Sequence, residues 1–335
     1  MQTASDPLNC GTCGHNCLNG TCSGGACQPF AIASNLTGLP GPLQLDGANL
    51  YWTEADTNVL FVLNTSTLTL TPMTTNFQRT AYRPDGNTLV SKFGSSFTTF
   101  NTCTVSTKCA TLTMFSPANT TGGDFQIDES AQRLFYTDLN FPDMVQATPL
   151  TSFTPAPFLT LPVGFNSVQM LGLINGFIYG MATPNAGGPP FVLWRTASAP
   201  ATNTASILST QIPGINGGFG SYPVSANSTK IFLFTSSNTI LSFPPNGSGA
   251  ATPTLYFNAA AFGGMVADDN FVYWTDSTLG NVYRCPVSAC PATPGPDIIA
   301  TGQAGNNTIV QDTRALYWGR AGQMSGLNQI MRLAK

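Results

Sequence analysis

His15 is the only histidine in the chain, and it sits among five cysteines, Cys10, Cys13, Cys17, Cys22 and Cys27. A catalytic or metal-binding histidine needs convergent partners, and none is placed beside it, so it reads as a solvent-facing turn residue. With no histidine after residue 15, Ser-His-Asp hydrolysis and histidine-held metal sites are excluded from the rest of the chain. Two carboxylates alone can cleave a glycoside, which brings the acids forward. Asp46, Asp85, Asp128, Asp268 and Asp312 recur at one position of an internal repeat. A carboxylate that recurs in this way is expected to accept backbone N–H bonds in a turn. Glu54, Asp138 and Asp276 recur at a second position and read the same way. Among the non-repeating acids Asp124 stands out, following Gly122-Gly123 at the entrance to a strand. No second acid is placed beside it. No cofactor motif is found, and a calcium loop of alternating Asp/Asn ending in Glu is absent.

Aromatic residues make a different pattern. Phe77, Phe165, Phe219 and Phe262 sit in Asn-Phe-Gln, Gly-Phe-Asn, Gly-Phe-Gly and Ala-Phe-Gly settings, each before a strand that opens a repeat. Phe rings in such loops suit an apolar platform for a sugar face, a lipid or a peptide, and they serve equally to plug a central channel. Phe77, Phe165, Phe219, Phe262 and Asp124 are therefore the candidate ligand-binding residues.

The cysteines carry the remaining chemistry. A zinc site would add a second close ligand pair to Cys10-x-x-Cys13, but Cys17, Cys22 and Cys27 are too widely spaced. Covalent haem attachment would need Cys-x-x-Cys-His, and Gly14 intervenes. The segment reads as a small disulfide knob with open connectivity. Five is odd, so one thiol is free, pairs with another chain, or has its partner upstream of Met1; the last is favoured. Cys103 with Cys109, and Cys285 with Cys290, bracket hairpin turns and are expected to form staples at an outer edge.

The elements that position these residues come from the repeat. Leu50-Tyr51-Trp52-Thr53-Glu54, Leu134-Phe135-Tyr136-Thr137-Asp138, Val272-Tyr273-Trp274-Thr275-Asp276 and Leu316-Tyr317-Trp318 are plain copies, and weaker ones centre on Val90, Tyr179 and Phe234. The anchors Trp52, Val90, Tyr136, Tyr179, Phe234, Trp274 and Trp318 lie 38, 46, 43, 55, 40 and 44 residues apart. A period of about 40–50 residues built from β-branched and aromatic strands marks β-propeller blades. Each period resolves into four short strands, giving an all-β, seven-bladed propeller over residues 29–335 with the cysteine-rich knob at 1–28. The seventh repeat reaches Lys335 without a fourth strand, while residues 29–35 look like a stray one. They are expected to close the last blade, since closure removes an unpaired edge. Trp52, Trp274 and Trp318 should pack between blades.

Composition narrows the partners. Charged residues make up 8% of the chain, net charge is −3, and the 12 Lys and Arg are scattered singly. That leaves no basic patch for nucleic acid. No stretch reaches the roughly 18 apolar residues of a membrane span. The segment from Val168 to Ala182 instead reads as two buried strands and a turn. Met1 to Asn9 is polar and carries no signal peptide, yet the cysteines imply an oxidising compartment. The protein is expected to be secreted or held at the cell surface, with its export signal outside this sequence. Seven Asn-x-Ser/Thr sites are ascribed to the Asn/Thr/Ser-rich composition and expected to be unmodified.

Tyr51-Trp52-Thr53-Glu54 and Tyr273-Trp274-Thr275-Asp276 resemble the YWTD repeat of low-density-lipoprotein-receptor-type propellers, although those are usually six-bladed. Asn9-Cys10-Gly11-Thr12-Cys13-Gly14-His15-Asn16-Cys17, continuing to Cys22 and Cys27, is similar to a cysteine-rich segment before propellers in secreted or lipid-anchored proteins of myxobacteria. The resemblance implies a further upstream cysteine and no assigned reaction. Together these features point to a non-catalytic propeller that recognises an extracellular carbohydrate, peptide or protein surface on its loop face. The alternatives are a carboxylate-based glycosidase or polysaccharide lyase in the channel, and a structural or adhesive protein with no pocket.

Overall fold

The computed structural model describes residues 3–54, 59–75, 82–93, 99–115, 125–128, 130–138, 141–161, 164–184, 191–199, 204–212, 223–245, 254–258, 262–305, 308–322 and 327–335. They form seven four-stranded antiparallel sheets and one two-stranded hairpin, Cys22–Ser23 with Ala26–Cys27. The innermost strands of blades 1 to 7 are Gln44–Asp46, Tyr82–Asp85, Phe125–Asp128, Phe165–Ile174, Val224–Ala226, Met265–Ala267 and Ile309–Gln311. Neighbouring members of this series lie against each other all the way round, blade 7 meeting blade 1, so the ring is closed.

Blade 6 is contiguous: Met265–Ala267, Phe271–Asp276, Asn281–Pro286 and Asp297–Ala300 pair in order. Blade 7 is assembled from both ends of the ring. Ile309–Gln311, Ala315–Arg320 and Asn328–Ala334 are followed by Phe30–Leu36, with Phe30 opposite Arg332 and Leu36 opposite Asn328. The expected closure by residues 29–35 is thus observed within one residue. Without it Asn328–Ala334 would present an unpaired edge.

Period-2 alternation sends one side of each strand into the seam with the next blade. Trp52, Trp274 and Trp318 are fully buried there, as the repeat required. Blade 4 departs instructively. Gly180 stands opposite Trp194 on the third strand, at the register where blades 6 and 7 pair Trp274 with Tyr283 and Trp318 with Met331. A Cβ on Gly180 would fall 2.1 Å from the Trp194 ring. The large indole has moved one strand outward and glycine makes room for it, which is why this copy looks weak and why Tyr179 is one residue off the true anchor.

The cysteines pair as Cys10–Cys22, Cys17–Cys27, Cys103–Cys109 and Cys285–Cys290, leaving Cys13 free and exposed. The last two bracket turns between third and fourth strands, as expected. Cys10, Cys17, Cys22 and Cys27 share one buried cluster with Tyr273, Ile309, Trp318 and Leu333, so the N-terminal disulfides pack directly against blades 6 and 7. Among the described residues no helix is long and apolar enough to cross a membrane.

Candidate functional site

The turns between first and second strands ring one end of the channel, and the recurring acids sit in them. Asp268 accepts the amides of Asn270 and Phe271 at 2.9 Å each; Asp312 accepts those of Arg314 and Ala315 at 2.7 Å. Asp128 accepts the amide of Ala131 at 3.0 Å and the hydroxyls of Ser130 and Ser198 at 2.5 Å. These are Asx-type turns, in which the carboxylate replaces a backbone acceptor. The second recurring position is similar: Asp276 caps the amides of Thr278 and Leu279, and Glu54 holds Thr37 and the Gly38 amide.

Ionisation follows these partners. Burial alone would raise Asp268, but the Phe271 and Asn270 amides and the Lys335 ammonium, 3.0 Å away, outweigh it and hold its pKa below the ordinary 3.8. Asp128 is lowered against the same burial by Ser130, Ser198 and nearby amides. Asp46 runs the other way: burial raises it, only partly offset by the Gly86 amide. Tyr317 is pushed up to about 12, by burial first and then by its hydrogen bond to Asp312.

Inside the ring of turns is a cup of about 640 Å³ on the channel axis, a volume typical of ligand pockets. All seven blades contribute to its lining. Blades 1 to 3 give only Gln44, Arg83 and Gln126, whereas blades 4 to 7 give Leu171, Leu173, Ile174, Val224, Val266 and Val310 together with polar residues such as Asn175, Ser225 and Gln311. The Arg83 Nε donates to Gln126 Oε1 at 3.3 Å, and its guanidinium lies 5.5 Å from the centre of the Phe125 ring. Across the cup, Ser225 Oγ accepts the Ala267 amide at 2.8 Å. Gln311 Nε2 donates to Ala267 O at 2.7 Å and its Oε1 accepts from Lys335 at 3.0 Å. These bonds lock blades 5, 6 and 7 together at the wall. Asp268 and Asp269 stand at the rim, the first ion-paired with Lys335, the second accepting the Ser228 amide and hydroxyl.

A larger cavity, about 820 Å³, runs along the seam of blades 6 and 7 beneath the disulfide segment, where His15, Arg284, Asp297, Arg320 and Lys335 line it. These five side chains already have partners. Arg284 is bonded to Asp297 at 3.1 Å and Arg320 to Gln329 at 3.1 Å. His15 is half-buried rather than solvent-facing: Nδ1 lies 2.8 Å from Cys10 O and Nε2 2.7 Å from Lys335 O. The ring fastens the disulfide segment to blade 7, a partner 320 positions away that no local motif announces. Arg332 makes a second fastening, donating to Thr65 O at 2.9 Å and to Leu18 O.

Of the residues nominated from sequence, Phe165 and Phe262 enter the first strands of blades 4 and 6, at the opposite end of the channel from the cup's rim. Both are half-buried. Phe262 stacks on Phe234 with ring centres 3.6 Å apart, and Phe165 packs against the buried cluster of blades 3 and 4. Neither lines the cup. Phe77, Phe219 and Asp124 lie outside the described residues. Gln44, Arg83 and Gln126 went unnoticed in the sequence, where their one signal is that each differs in kind from the Val266 and Val310 of the plain repeats.

No family model and no curated protein matches the chain. Solved structures share its fold. Virginiamycin B lyase from Staphylococcus aureus is similar at 10% identity and TM-score 0.63, over 92% of this chain and 98% of that one. U3-55K is similar at 9% identity and TM-score 0.59, over 92% and 98%. BamB from Moraxella catarrhalis is similar at 10% identity and TM-score 0.53, over 88% and 82%. At such identities the likeness is one of architecture, and the functions in those names differ from one another.

Proposed function

We propose that the chain is a secreted or cell-surface propeller that recognises an extracellular carbohydrate, peptide or protein surface without transforming it. The observation that carries this reading is the cup. Its neutral and cationic polar side chains are amides, two serine hydroxyls and one guanidinium, while the two acids at its rim are engaged by a lysine and a serine. A glycosidase needs one carboxyl held protonated and poised as an acid. Asp268 is instead held ionised, and Asp46, which burial raises, is not among the residues lining the cup. The four disulfides support an oxidising compartment. On motif grounds we also place the chain with YWTD-like propellers and with the cysteine-segment propellers of myxobacteria.

The test is a binding screen against neutral and acidic oligosaccharides and short peptides, run beside a turnover screen on the same compounds. Binding with all ligands recovered intact is expected. Hydrolysis or elimination that is lost in Asp268→Asn or Asp269→Asn would overturn the reading in favour of an enzyme.

A further inference from the structure

The cavity beneath the disulfide segment is a groove with a strand edge on each wall. On one side stands Ala26–Cys27, paired with Cys22–Ser23; on the other stands Asp297–Ala300, the outermost strand of blade 6, paired with Asn281–Pro286. Among the described residues no further strand joins either one. Blade 7 supplies the floor with Leu316, Met331 and Leu333. An unpaired edge presents a row of N–H and C=O groups, and an extended segment laid along it completes the ladder. Such edges are ordinarily blunted by charge, yet here Ile298 stands 54% exposed.

Charge singles out one residue of the lining. Arg284 is paired with Asp297, and Lys335 with Asp268. Arg320 has a neutral partner, Gln329 Oε1 at 3.1 Å, and among the described residues no carboxylate pairs with it. One bond leaves most of the five donors of a guanidinium, whose planar fork matches a carboxylate. Arg320 also lines a second cavity of about 480 Å³, where Leu279 and Leu327 are 62% and 50% exposed. The cation therefore sits where a strand groove meets an aliphatic pocket.

We propose that the seam of blades 6 and 7 is a docking groove, separate from the cup, for an extended segment of another protein that carries an acidic side chain beside an aliphatic one. The segment adds a strand to Asp297–Ala300, its carboxylate pairs with Arg320, and its aliphatic side chain fills the pocket between Leu279 and Leu327. About six residues cover the strand and the anchor.

The test titrates the full chain, disulfides intact, with acetyl-Thr-Val-Thr-Val-Glu-Leu-amide, read by calorimetry and amide hydrogen exchange. Binding is expected to be about 5- to 20-fold tighter than for the same peptide with Gln in place of Glu, the worth of a half-buried charge-assisted pair. Exchange should slow at residues 297–300. Arg320→Gln should erase the preference for Glu over Gln. Leu327→Ser, at an exposed and so tolerant position, should weaken both peptides alike. A peptide N-methylated at alternate residues should fail to bind in either register. Equal binding of the Glu and Gln peptides, or undiminished binding of the N-methylated ones, overturns the proposal. Protection confined to the cup also overturns it while leaving the recognition reading standing. A concentration-dependent dimer of the chain that already protects residues 297–300 overturns it in favour of a second copy as the occupant.

Discussion

The rim of turns and the cup it encloses are built from the same strands, yet they obey opposite rules. At the rim, Asp128, Asp268 and Asp312 repeat from blade to blade, and each exhausts its carboxylate on neighbouring amides or hydroxyls. In the cup, Gln44, Arg83 and Gln126 have no counterpart in blades 6 and 7, where Val266 and Val310 line the same channel. Repetition therefore marks what holds the ring, and departure from it marks what the ring holds. On this account, changes at the rim and seams alter stability and leave recognition intact, and changes in the cup do the reverse.

The largest effect is expected where rim and cup fail together. Deleting residues 28–36 strips blade 7 of Phe30–Leu36 and reopens the ring; calorimetry should show the cooperative transition lost, not shifted. Next is Arg332→Ala in the closing blade. It orphans the carbonyls of Thr65 and Leu18 in a buried seam, a loss of about 2–4 kcal/mol measurable by denaturant unfolding. Binding should survive below the transition. Asp312→Ala removes two turn amide bonds at the rim and the acceptor of the Tyr317 hydroxyl, costing about 1–2 kcal/mol.

Acid should expose the same rim. Asp268 and Asp128 have folded pKa values below the ordinary 3.8, so their stabilisation is complete above that value and is lost as pH falls through the folded value. Asp46, raised by burial, contributes in the opposite sense: its contribution is present at low pH and lost as pH rises through its folded value. Unfolding free energy should fall steeply below about pH 4, and Asp268→Asn should flatten that fall. The smallest effect belongs to the outer staples. Breaking Cys285–Cys290, a separation of 5 residues, should cost no more than about 2 kcal/mol, because so short a loop constrains the unfolded chain little.

Most of the ring was legible because its signals are local and recur. Aromatic strands, turn acids and staple spacing each appear several times, so blade number and the strand that closes blade 7 follow from counting. Blade 4 resisted because Trp194 and Gly180 exchange bulk across two strands, a compensation visible only in register. The site resisted for a different reason. Its walls meet only when seven innermost strands converge, and Gln44, Arg83 and Gln126 are ordinary surface-type residues until placed 39 and 43 positions apart on one axis. The Phe-bearing loops drew attention because aromatic residues are conspicuous, yet Phe262 has its stacking partner in Phe234. His15 likewise acquires its role only from the distant Lys335 carbonyl.

The division between rim and cup is tested most directly by measuring melting together with binding of the screened oligosaccharides and short peptides in Arg83→Met and Asp312→Ala. Asp312 does not line the cup and Arg83 does. The account predicts that Arg83→Met melts within about 1 kcal/mol of the parent and loses binding. Asp312→Ala should melt lower and bind unchanged. Arg83→Met that binds unchanged, or Asp312→Ala that loses binding while still folded, would contradict it.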